Sequence, residues 1–408
     1  MYETVTIQLG QCGNQIGKDF WVKIMEEHQA NKNENDRRDK FFYTTEGGKL
    51  VPRTVLIDTE PRAIFPEISN STNTFLTNEG TGASNNWAHG FNLAKTHMED
   101  MMDVINRNIE ACDNVESIQV IHSCAGGTGS GFSSFLGEVF SENFPKKILC
   151  DFAILPNNNQ ASDVVVQPYN TVLSLNKVRE NFNVVVLMDN YALSRHVLTN
   201  KVTFANDEKQ LVNTYENMNS VAADVISSFS SSVRFPSYIY AENKSILNAL
   251  VSSRNLNLVV PSIVTSDYRK YSTGEIVGNL IKQKSLLCNY EESSLYGYKS
   301  IWNVMNHALD VSSVIRAQKL VQNKINFIDL PYYTTAFTNR RELNVSFSNT
   351  TGIRSALSKI TSQFDKLMER KAFLESYRKF ELEASEMKAA RESINGLIEE
   401  YEALEARK

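Results

Sequence analysis

The stretch SIQVIHSCAGGTGSGFSSFLGEVF, residues 117–140, contains three successive patterns. It begins with a short, mostly apolar run at 118–121 that is typical of a buried strand. Four glycines follow within residues 126–131. The apolar residues that come next share one face of a helix, at offsets of 0, 3, 4, 7 and 8: Phe132, Phe135, Leu136, Val139 and Phe140. The stretch therefore predicts a strand, a glycine loop and a helix.

A glycine loop that opens a helix is suited to bind an anion. Glycine has no Cβ, so backbone N–H groups can approach a ligand closely. The N–H groups at a helix start carry about half a positive charge. Together these features predict a phosphate site. The alternative is a glycine-rich turn without a ligand, which the amphipathic helix and the number of glycines make the weaker interpretation.

The two best-known phosphate motifs do not fit this loop. A P-loop has Lys followed by Ser or Thr after its last glycine, whereas Phe132 and Ser133 follow Gly131. The dinucleotide fingerprint Gly-x-Gly-x-x-Gly fails because Phe132 or Ser134 stands at its third glycine position. Asp151 lies about 20 residues further on, where a ribose-binding acid is expected, but one acid alone does not indicate a dinucleotide site.

Composition is that of an ordinary globular protein. The 408 residues suffice for two or three domains, with 42% hydrophobic and 22% charged residues. A net charge of −5 without a basic patch gives no indication of a nucleic-acid partner. No run approaches the ~18 apolar residues of a membrane span, and no apolar signal region stands near Glu3. The five cysteines lack Cys-x-x-Cys spacing, which favours reduced cytosolic thiols over zinc or disulfides.

Two further loops lie between a predicted strand and a predicted helix. Residues 4–9 alternate like a strand and lead to Gly10-Gln11-Cys12-Gly13-Asn14-Gln15-Ile16-Gly17, which is followed by apolar residues at helical spacing. Residues 80–87 form the second loop, Gly-Thr-Gly-Ala-Ser-Asn-Asn-Trp. We expect Asn85 to cap the helix that follows, whose apolar stripe indicates core.

A third short strand, residues 54–57, leads to an acidic segment, Asp58-Thr59-Glu60-Pro61-Arg62. Carboxylates at the end of a strand beside a phosphate site suit Mg²⁺, which takes oxygen ligands and keeps its waters. The alternative for such a segment is a solvated acidic turn. Residues 31–40 are polar and charged, which predicts an exposed loop.

The sequence Gly-Gly-Thr-Gly-Ser-Gly at 126–131, between a strand and a helix, is the signature of the tubulin and FtsZ GTPases. The chain resembles that family over nearly its whole length. The loop at 10–17 is similar to the first tubulin nucleotide loop residue for residue, and the segment 58–61 resembles its Asp-Leu-Glu-Pro loop. Arg370-Lys371-Ala372-Phe373-Leu374 is another family signature.

The resemblance implies an α/β tubulin fold. Its parts are a Rossmann-like N-terminal GTPase domain with a mostly parallel sheet at residues 1–205, a long central helix at 206–234, an α+β intermediate domain at 235–349 and C-terminal helices at 350–408. The likeness is weakest at 237–346, where helical stretches alternate with strand-like runs.

The resemblance also implies GTP or GDP as the ligand, with Mg²⁺. In the family Glu60 would hold the metal through a water, and Asp163 and Gln167 would take the ribose hydroxyls, a role that suits an acceptor carboxylate. The residues that the resemblance assigns to the nucleotide are Gly10, Gln11, Cys12, Gln15, Asn85, Ser123, Ala125, Gly126, Gly127, Thr128, Gly129, Ser130, Gly131, Asp163, Gln167, Asn190, Tyr215 and Asn219.

Three of these assignments concern the base. Asn190 and Asn219 carry both donor and acceptor groups and can read a guanine edge. Tyr215 lies one helical turn from Asn219 and would stack on the base. Each has an alternative: Tyr215 also fits the apolar stripe of its helix, and Asn190 could be an ordinary turn residue. Cys12 could likewise be a plain buried thiol.

Several details resemble the gamma branch of the tubulins rather than the alpha and beta branches. Ala125 opens the glycine loop, and Gln167 stands where alpha and beta have Glu. The segments Phe41-Phe42-Tyr43 and Val51-Pro52-Arg53 match the gamma pattern. The sequence ends in Ala406-Arg407-Lys408, without the strongly acidic tail usual in alpha and beta.

One segment bears on GTP hydrolysis. Tubulin polymers hydrolyse GTP with an acidic loop from the next subunit, and that loop corresponds here to Tyr240-Ala241-Glu242 instead of the usual Asn-x-Asp. Ser245 falls where alpha-tubulin has its catalytic Glu. Since no carboxylate there can orient water in a neighbour, we expect no catalytic residue and at most a slow GTPase. Tyr240 either anchors a partner or packs inside its own domain.

By this resemblance the protein templates microtubule nucleation and caps minus ends at a microtubule-organising centre, the centrosome or spindle pole body, in the cytoplasmic cytoskeleton during mitosis. Expected partners are the alpha/beta-tubulin dimer, with alpha-tubulin at the nucleotide end, gamma-tubulin complex scaffold proteins at the opposite end, and lateral gamma-tubulin copies. We expect no nucleic acid and no membrane. The nearer alternative is a filament-forming tubulin/FtsZ-like GTPase, and the remote one a nucleotide-dependent oxidoreductase.

Overall fold

A computed structural model describes residues 2–30, 36–77, 82–157, 164–204, 215–236, 242–265, 271–290, 293, 296–305, 311–328, 332–336 and 343–406. Its contacts divide the chain into two units. The first unit contains residues 1–18, 38–185 and 357–398. The second contains residues 19–37, 186–356 and 399–408.

Strands and helices alternate through the first half of the chain, as expected for an α/β fold. The strands are β1 (Glu3–Leu9), β2 (Phe42–Thr44), β3 (Leu50–Pro52), β4 (Thr54–Asp58), β5 (Thr74–Leu76), β6 (Val115–Ser123), β7 (Ile148–Leu155), β8 (Val184–Asp189), β9 (Leu258–Thr265), β10 (Gly297–Met305), β11 (Asn326–Phe327), β12 (Tyr332–Ala336) and β13 (Leu343–Thr350). The helices are α1 (Gly10–Ala30), α2 (Trp87–Thr96), α3 (Met98–Glu110), α4 (Thr128–Asn143), α5 (Gln167–Asn181), α6 (Asn190–Phe204), α7 (Tyr215–Arg234), α8 (Asn243–Leu250), α9 (Thr273–Leu280), α10 (Val311–Gln322), α11 (Ile353–Glu369), α12 (Leu374–Arg378) and α13 (Ala384–Glu405).

A parallel sheet forms the centre of the first unit, with strand order β7-β6-β1-β4-β5. Ile7 of β1 lies between Val55 of β4 and Val120 of β6, and all three side chains are fully buried. Such burial explains why these strands are continuous apolar runs. The predicted α/β fold with a mostly parallel sheet and C-terminal helices is confirmed.

The second unit contains a mixed sheet. Strand β13 pairs antiparallel with β9 and with β10, and β10 pairs parallel with β11 and β12. Helices α9 and α10 bury apolar residues against this sheet, among them Ile276, Leu280 and Val321 with Ile301 of β10. The arrangement is the α+β organisation predicted for this part of the chain.

A buried ion pair joins α1 to α7 within the second unit. The Nη2 of Arg234 donates to Oε2 of Glu27 at 2.6 Å, and the Oγ of Ser227 donates to Oε1 of Glu27 at 2.8 Å. The Arg234 side chain is fully buried. One turn earlier on α1, Lys23 forms a more exposed pair with Asp224 at 2.5 Å. Helix α7 ends at Arg234, as the Pro that follows two residues later predicts.

One detail of the sequence prediction is wrong. Lys40 was predicted to belong to an exposed loop, but it ends a short 3-10 helix and is 2% exposed. Its ammonium lies 3.7 Å from a carboxylate oxygen of Glu116, and burial of its aliphatic stem explains the inward placement. Among the described residues, no helix is both long enough and apolar enough to cross a membrane.

Candidate functional site

A cavity of about 310 Å³ lies at the carboxyl ends of the neighbouring parallel strands β1, β4 and β6. Because parallel strands end at the same edge of a sheet, the loops after them meet there, which is the usual place for a ligand in α/β folds. The cavity is lined by Leu9, Gly10, Gln11, Cys12, Asp58, Glu60, Ala83, Ser84, Asn85, Ser123, Gly126, Gly127, Thr128 and Gly129.

The loops after β1 and β6 approach each other backbone to backbone. Gly10 has φ +70°, and a Cβ at this position would lie 3.0 Å from the backbone nitrogen of Gly129. Only glycine suits both the left-handed backbone and the close approach. Gly10 thus allows the start of α1 to lie beside the glycine loop at the start of α4.

A side chain of α4, the helix that follows the glycine loop, stabilises the loop. The Ser130 hydroxyl donates to the carbonyl oxygens of Gly126 and Gly127, and the Ser130 side chain is fully buried. The first turn of α4 leaves backbone N–H groups without intrahelical acceptors. These groups belong to the lining residues Thr128 and Gly129, so the loop has the donors that a phosphate group needs.

The loop before α2 adopts a strained turn at the edge of the cavity. Ser84 and Asn85 have φ values of +48° and +53°, the left-handed region that costs non-glycine residues free energy. The prediction that Asn85 caps α2 is wrong by one residue. Asn86 is the cap, since its side-chain oxygen accepts from the N–H groups of Ala88 and His89. Asn85 has a left-handed backbone, whereas Asn86 has the extended backbone that is typical of an N-cap residue.

Two carboxylates, Asp58 and Glu60, line the cavity on the side of β4. Burial raises the pKa of Asp58 to about 6, against the opposing effect of hydrogen bonds from the N–H groups of Thr59 and Glu60 and from Asn14. The described lining residues include no lysine or arginine. The donors that these lining residues offer to a phosphate group are backbone N–H groups and neutral side chains such as those of Gln11 and Thr128.

The acidic segment is also tied to the glycine loop. The hydroxyl oxygens of Thr59 and Thr128 lie 2.9 Å apart and share a hydrogen bond. Cys12, on the α1 side of the cavity, has a pKa raised to about 12 by burial. Cys12 is therefore a neutral thiol at physiological pH, and it contributes a small apolar surface rather than a nucleophile.

Of the residues predicted to bind nucleotide or metal, ten line this cavity: Gly10, Gln11, Cys12, Glu60, Asn85, Ser123, Gly126, Gly127, Thr128 and Gly129. Gln15, Ala125, Ser130, Gly131 and Gln167 are in the same unit but are not among its lining residues. The cavity is also lined by four residues that were not predicted to bind a ligand: Leu9, Asp58, Ala83 and Ser84. Asp58 belongs to the acidic segment 58–62, of which only Glu60 was predicted to hold the metal.

The residues predicted to read the base lie in the second unit. Asn190 is the first residue of α6, and Asn219 is buried in α7. Tyr215 begins α7 and is 70% exposed, which excludes the alternative that it is a core residue. Asp163, predicted to bind the ribose, lies outside the described residues. Gln167 is the first residue of α5.

Comparison with known families finds a similarity over the part of the chain that holds this cavity. Residues 3–197 match the family model described as Tubulin/FtsZ family, GTPase domain. The matched range contains every residue that lines the cavity and all of the parallel sheet of the first unit. Residues 3–197 are therefore similar to the GTPase domains of the Tubulin/FtsZ family.

Proposed function

We propose that the protein is a gamma-tubulin-like GTP-binding protein that templates microtubule nucleation and caps minus ends at a microtubule-organising centre. The observation that carries this proposal is the residue at position 245. A serine stands there in place of the acid that alpha-tubulin contributes to GTP hydrolysis by a neighbouring subunit. Ala125 and Gln167, which follow the gamma pattern, agree with it.

The structure places Ser245 in the first turn of α8. Its N–H group donates to the carbonyl of Glu242 at 3.1 Å, and Glu242 is the exposed residue just before the helix. A serine hydroxyl does not accept a proton from water at neutral pH. We therefore expect this surface to be inactive toward a nucleotide bound by a neighbouring tubulin.

A filament-forming tubulin/FtsZ-like GTPase is the second candidate, because the GTPase domain alone fits both functions. The test incubates the pure protein with GTP, pellets any filaments and measures phosphate release in the same sample. A nucleator should give neither filaments nor appreciable phosphate, yet it should shorten the lag of alpha/beta-tubulin assembly when present in small amounts. Abundant filaments with rapid phosphate release would establish the second candidate instead.

Two variants of α8 serve as controls in that experiment. Ser245→Glu should leave hydrolysis by dilute protein unchanged, because an acid on this surface acts on a neighbour's nucleotide. Asn248→Glu adds the same charge one turn later on the exposed side of α8. Hydrolysis by dilute Ser245→Glu, but not by Asn248→Glu, would show that the acid acts within one molecule.

Mg²⁺ belongs to this proposal as the counter-ion of the phosphates. The described residues contain no cluster of three or more ligating side chains, so the protein would share the ion with the nucleotide. That arrangement fits Mg²⁺, which commonly takes one or two carboxylates, phosphate oxygens and waters. Glu60 would hold it through a water, with the buried Asp58 beside it, and the ion would balance the phosphate charge.

The proposed partners are alpha-tubulin at the nucleotide end, scaffold proteins of the gamma-tubulin complex at the end near Glu242, and lateral copies of the protein. Support comes from the sequence departures at 240–245. Tyr240 itself lies outside the described residues, as does most of the loop at 265–273 that corresponds to the lateral loop. The cytoplasmic cytoskeleton is the proposed location.

We predict that the site prefers guanine to adenine nucleotides, because Asn190 and Asn219 can pair with the guanine edge. Tyr215→Ala should weaken GTP binding by one to two decades, since stacking of a base on an aromatic ring is worth ~1–3 kcal/mol. Tyr215→Phe, which keeps the ring, should bind nearly as tightly as the wild type. Calorimetry with GTP and ATP measures all three, and equal affinity for the two nucleotides would contradict the base-reading assignment.

A further inference from the structure

Asn170, in the first turn of α5, connects several segments around the cavity. Its side chain is fully buried and makes four hydrogen bonds. The Nδ2 donates to the carbonyl oxygens of Asn85 at 2.8 Å and Ala125 at 2.9 Å. The Oδ1 accepts from the N–H of Trp87 at 2.9 Å and from the hydroxyl of Tyr377 at 2.7 Å.

These partners fix the orientation of the amide. Rotation by 180° would point the oxygen at two carbonyl oxygens and the NH₂ group at two donors, so only one orientation is compatible. Both hydrogens and both lone pairs of the amide are then used. A fully satisfied polar group inside a protein rigidifies its surroundings, because each lost bond leaves a buried group unpaired.

The carbonyls that Asn170 holds belong to the two loops on either side of the phosphate site. Asn85 is the second of two successive left-handed residues, and such strain persists only where the surroundings enforce it. Ala125 directly precedes the glycines of the second loop. Asn170 itself is not among the residues that line the cavity.

We propose that Asn170 is a positioning residue of the phosphate site. Its amide fixes the position of the strained turn at Ser84 and Asn85 relative to the glycine loop. A hydrogen bond from Tyr377 of α12 in turn fixes the orientation of the amide. Without Asn170, the turn can relax and the N–H groups of the two loops no longer converge on one phosphate chain. This inference rests on nucleotide binding at the cavity and adds the residue that orders its loops.

The test compares affinities for GTP and for guanosine, each measured by displacement of a fluorescent mant-GDP. Asn170→Ala should raise the dissociation constant of GTP tenfold or more and leave that of guanosine within twofold, because only GTP uses the phosphate loops. A general loss of stability would affect both ligands equally. Tyr377→Phe, which keeps the ring and loses one bond to the amide, should weaken GTP binding about threefold with guanosine again unchanged.

Asn92→Ala is the matched control. Its Nδ2 donates to the carbonyl of Phe380 at 2.9 Å, so it also joins α2 to the segment after α12, and it is not among the residues that line the cavity. Asn92→Ala should leave both affinities unchanged. If Asn170→Ala does not fold, Tyr377→Phe decides the question. Equal changes for GTP and guanosine, or none in either variant, would overturn the role of Asn170, whereas a wild-type protein that binds no guanine nucleotide would overturn the proposed function.

Discussion

Gly127→Ala is expected to abolish GTP binding and to lower the free energy of unfolding by about 3 kcal/mol. A Cβ at this position would lie 2.6 Å from the carbonyl oxygen of Ala83 and 2.7 Å from the backbone nitrogen of Asn86. Both atoms belong to the backbone, so no side-chain rotation relieves the contact. The glycine loop and the turn before α2 would have to separate, and the cavity between them would lose its shape.

Gly126→Ala provides the control, because a Cβ there would meet no atom within 4 Å. Urea denaturation of this variant should give a free energy of unfolding close to that of the wild type. The two substitutions add the same methyl group at neighbouring positions of one loop, so composition and local propensity are matched. If Gly127→Ala were as stable as Gly126→Ala, the close packing of the two loops would be wrong.

Arg234→Met should destabilise the protein by 3–5 kcal/mol, the usual cost of breaking a buried ion pair. The loss leaves the carboxylate of Glu27, which is 7% exposed, without its cation. Packing area changes little because methionine fills most of the same volume. Urea denaturation at neutral pH measures the effect.

Two further variants separate charge from packing at this pair. Lys23→Met removes the neighbouring, more exposed pair with Asp224 and should cost at most about 1 kcal/mol. The double variant Glu27→Leu with Arg234→Met removes both buried charges and should recover most of the stability that Arg234→Met loses. A double variant as unstable as the single one would show that the fit of the side chains, rather than the unpaired carboxylate, dominates.

The glycine loop and its flanking strand and helix could be predicted from the sequence because their patterns are local. The run at 118–121 fits a buried strand, and the apolar residues of 132–140 recur at helical spacing. The structure shows the bounds of these elements, Val115–Ser123 for β6 and Thr128–Asn143 for α4. The boundary residues depend on hydrogen bonds that hydrophobic periodicity does not encode.

The assignment of the helix cap at residues 85 and 86 could not be made from sequence. Two adjacent asparagines have the same propensity to cap, and only the backbone separates their roles. Asn85 takes the left-handed region and Asn86 the extended one. The φ of +48° at Ser84 is a conformation that glycine adopts readily, so a serine at this position gives no sequence signal of the turn.

Long-range polar contacts of the site could not be predicted from the sequence either. Asn170 lies in a helix whose buried face is mostly apolar, and its four partners come from three other segments of the chain. No spacing rule relates residue 170 to residue 377. The available signal was an asparagine at a buried position of α5, which predicts a satisfied polar group but not its partners.

The first unit is assembled from three separate stretches of chain, and the last of them spans residues 357–398. Tyr377 meets Asn170 across a separation of 207 residues. During synthesis, the phosphate loops are therefore made long before the helix that completes their support leaves the ribosome. Contacts of such separation form late and slowly, so the nascent first unit lacks the bond from Tyr377 to Asn170 until α12 has been made, a period in which chaperones can act on it.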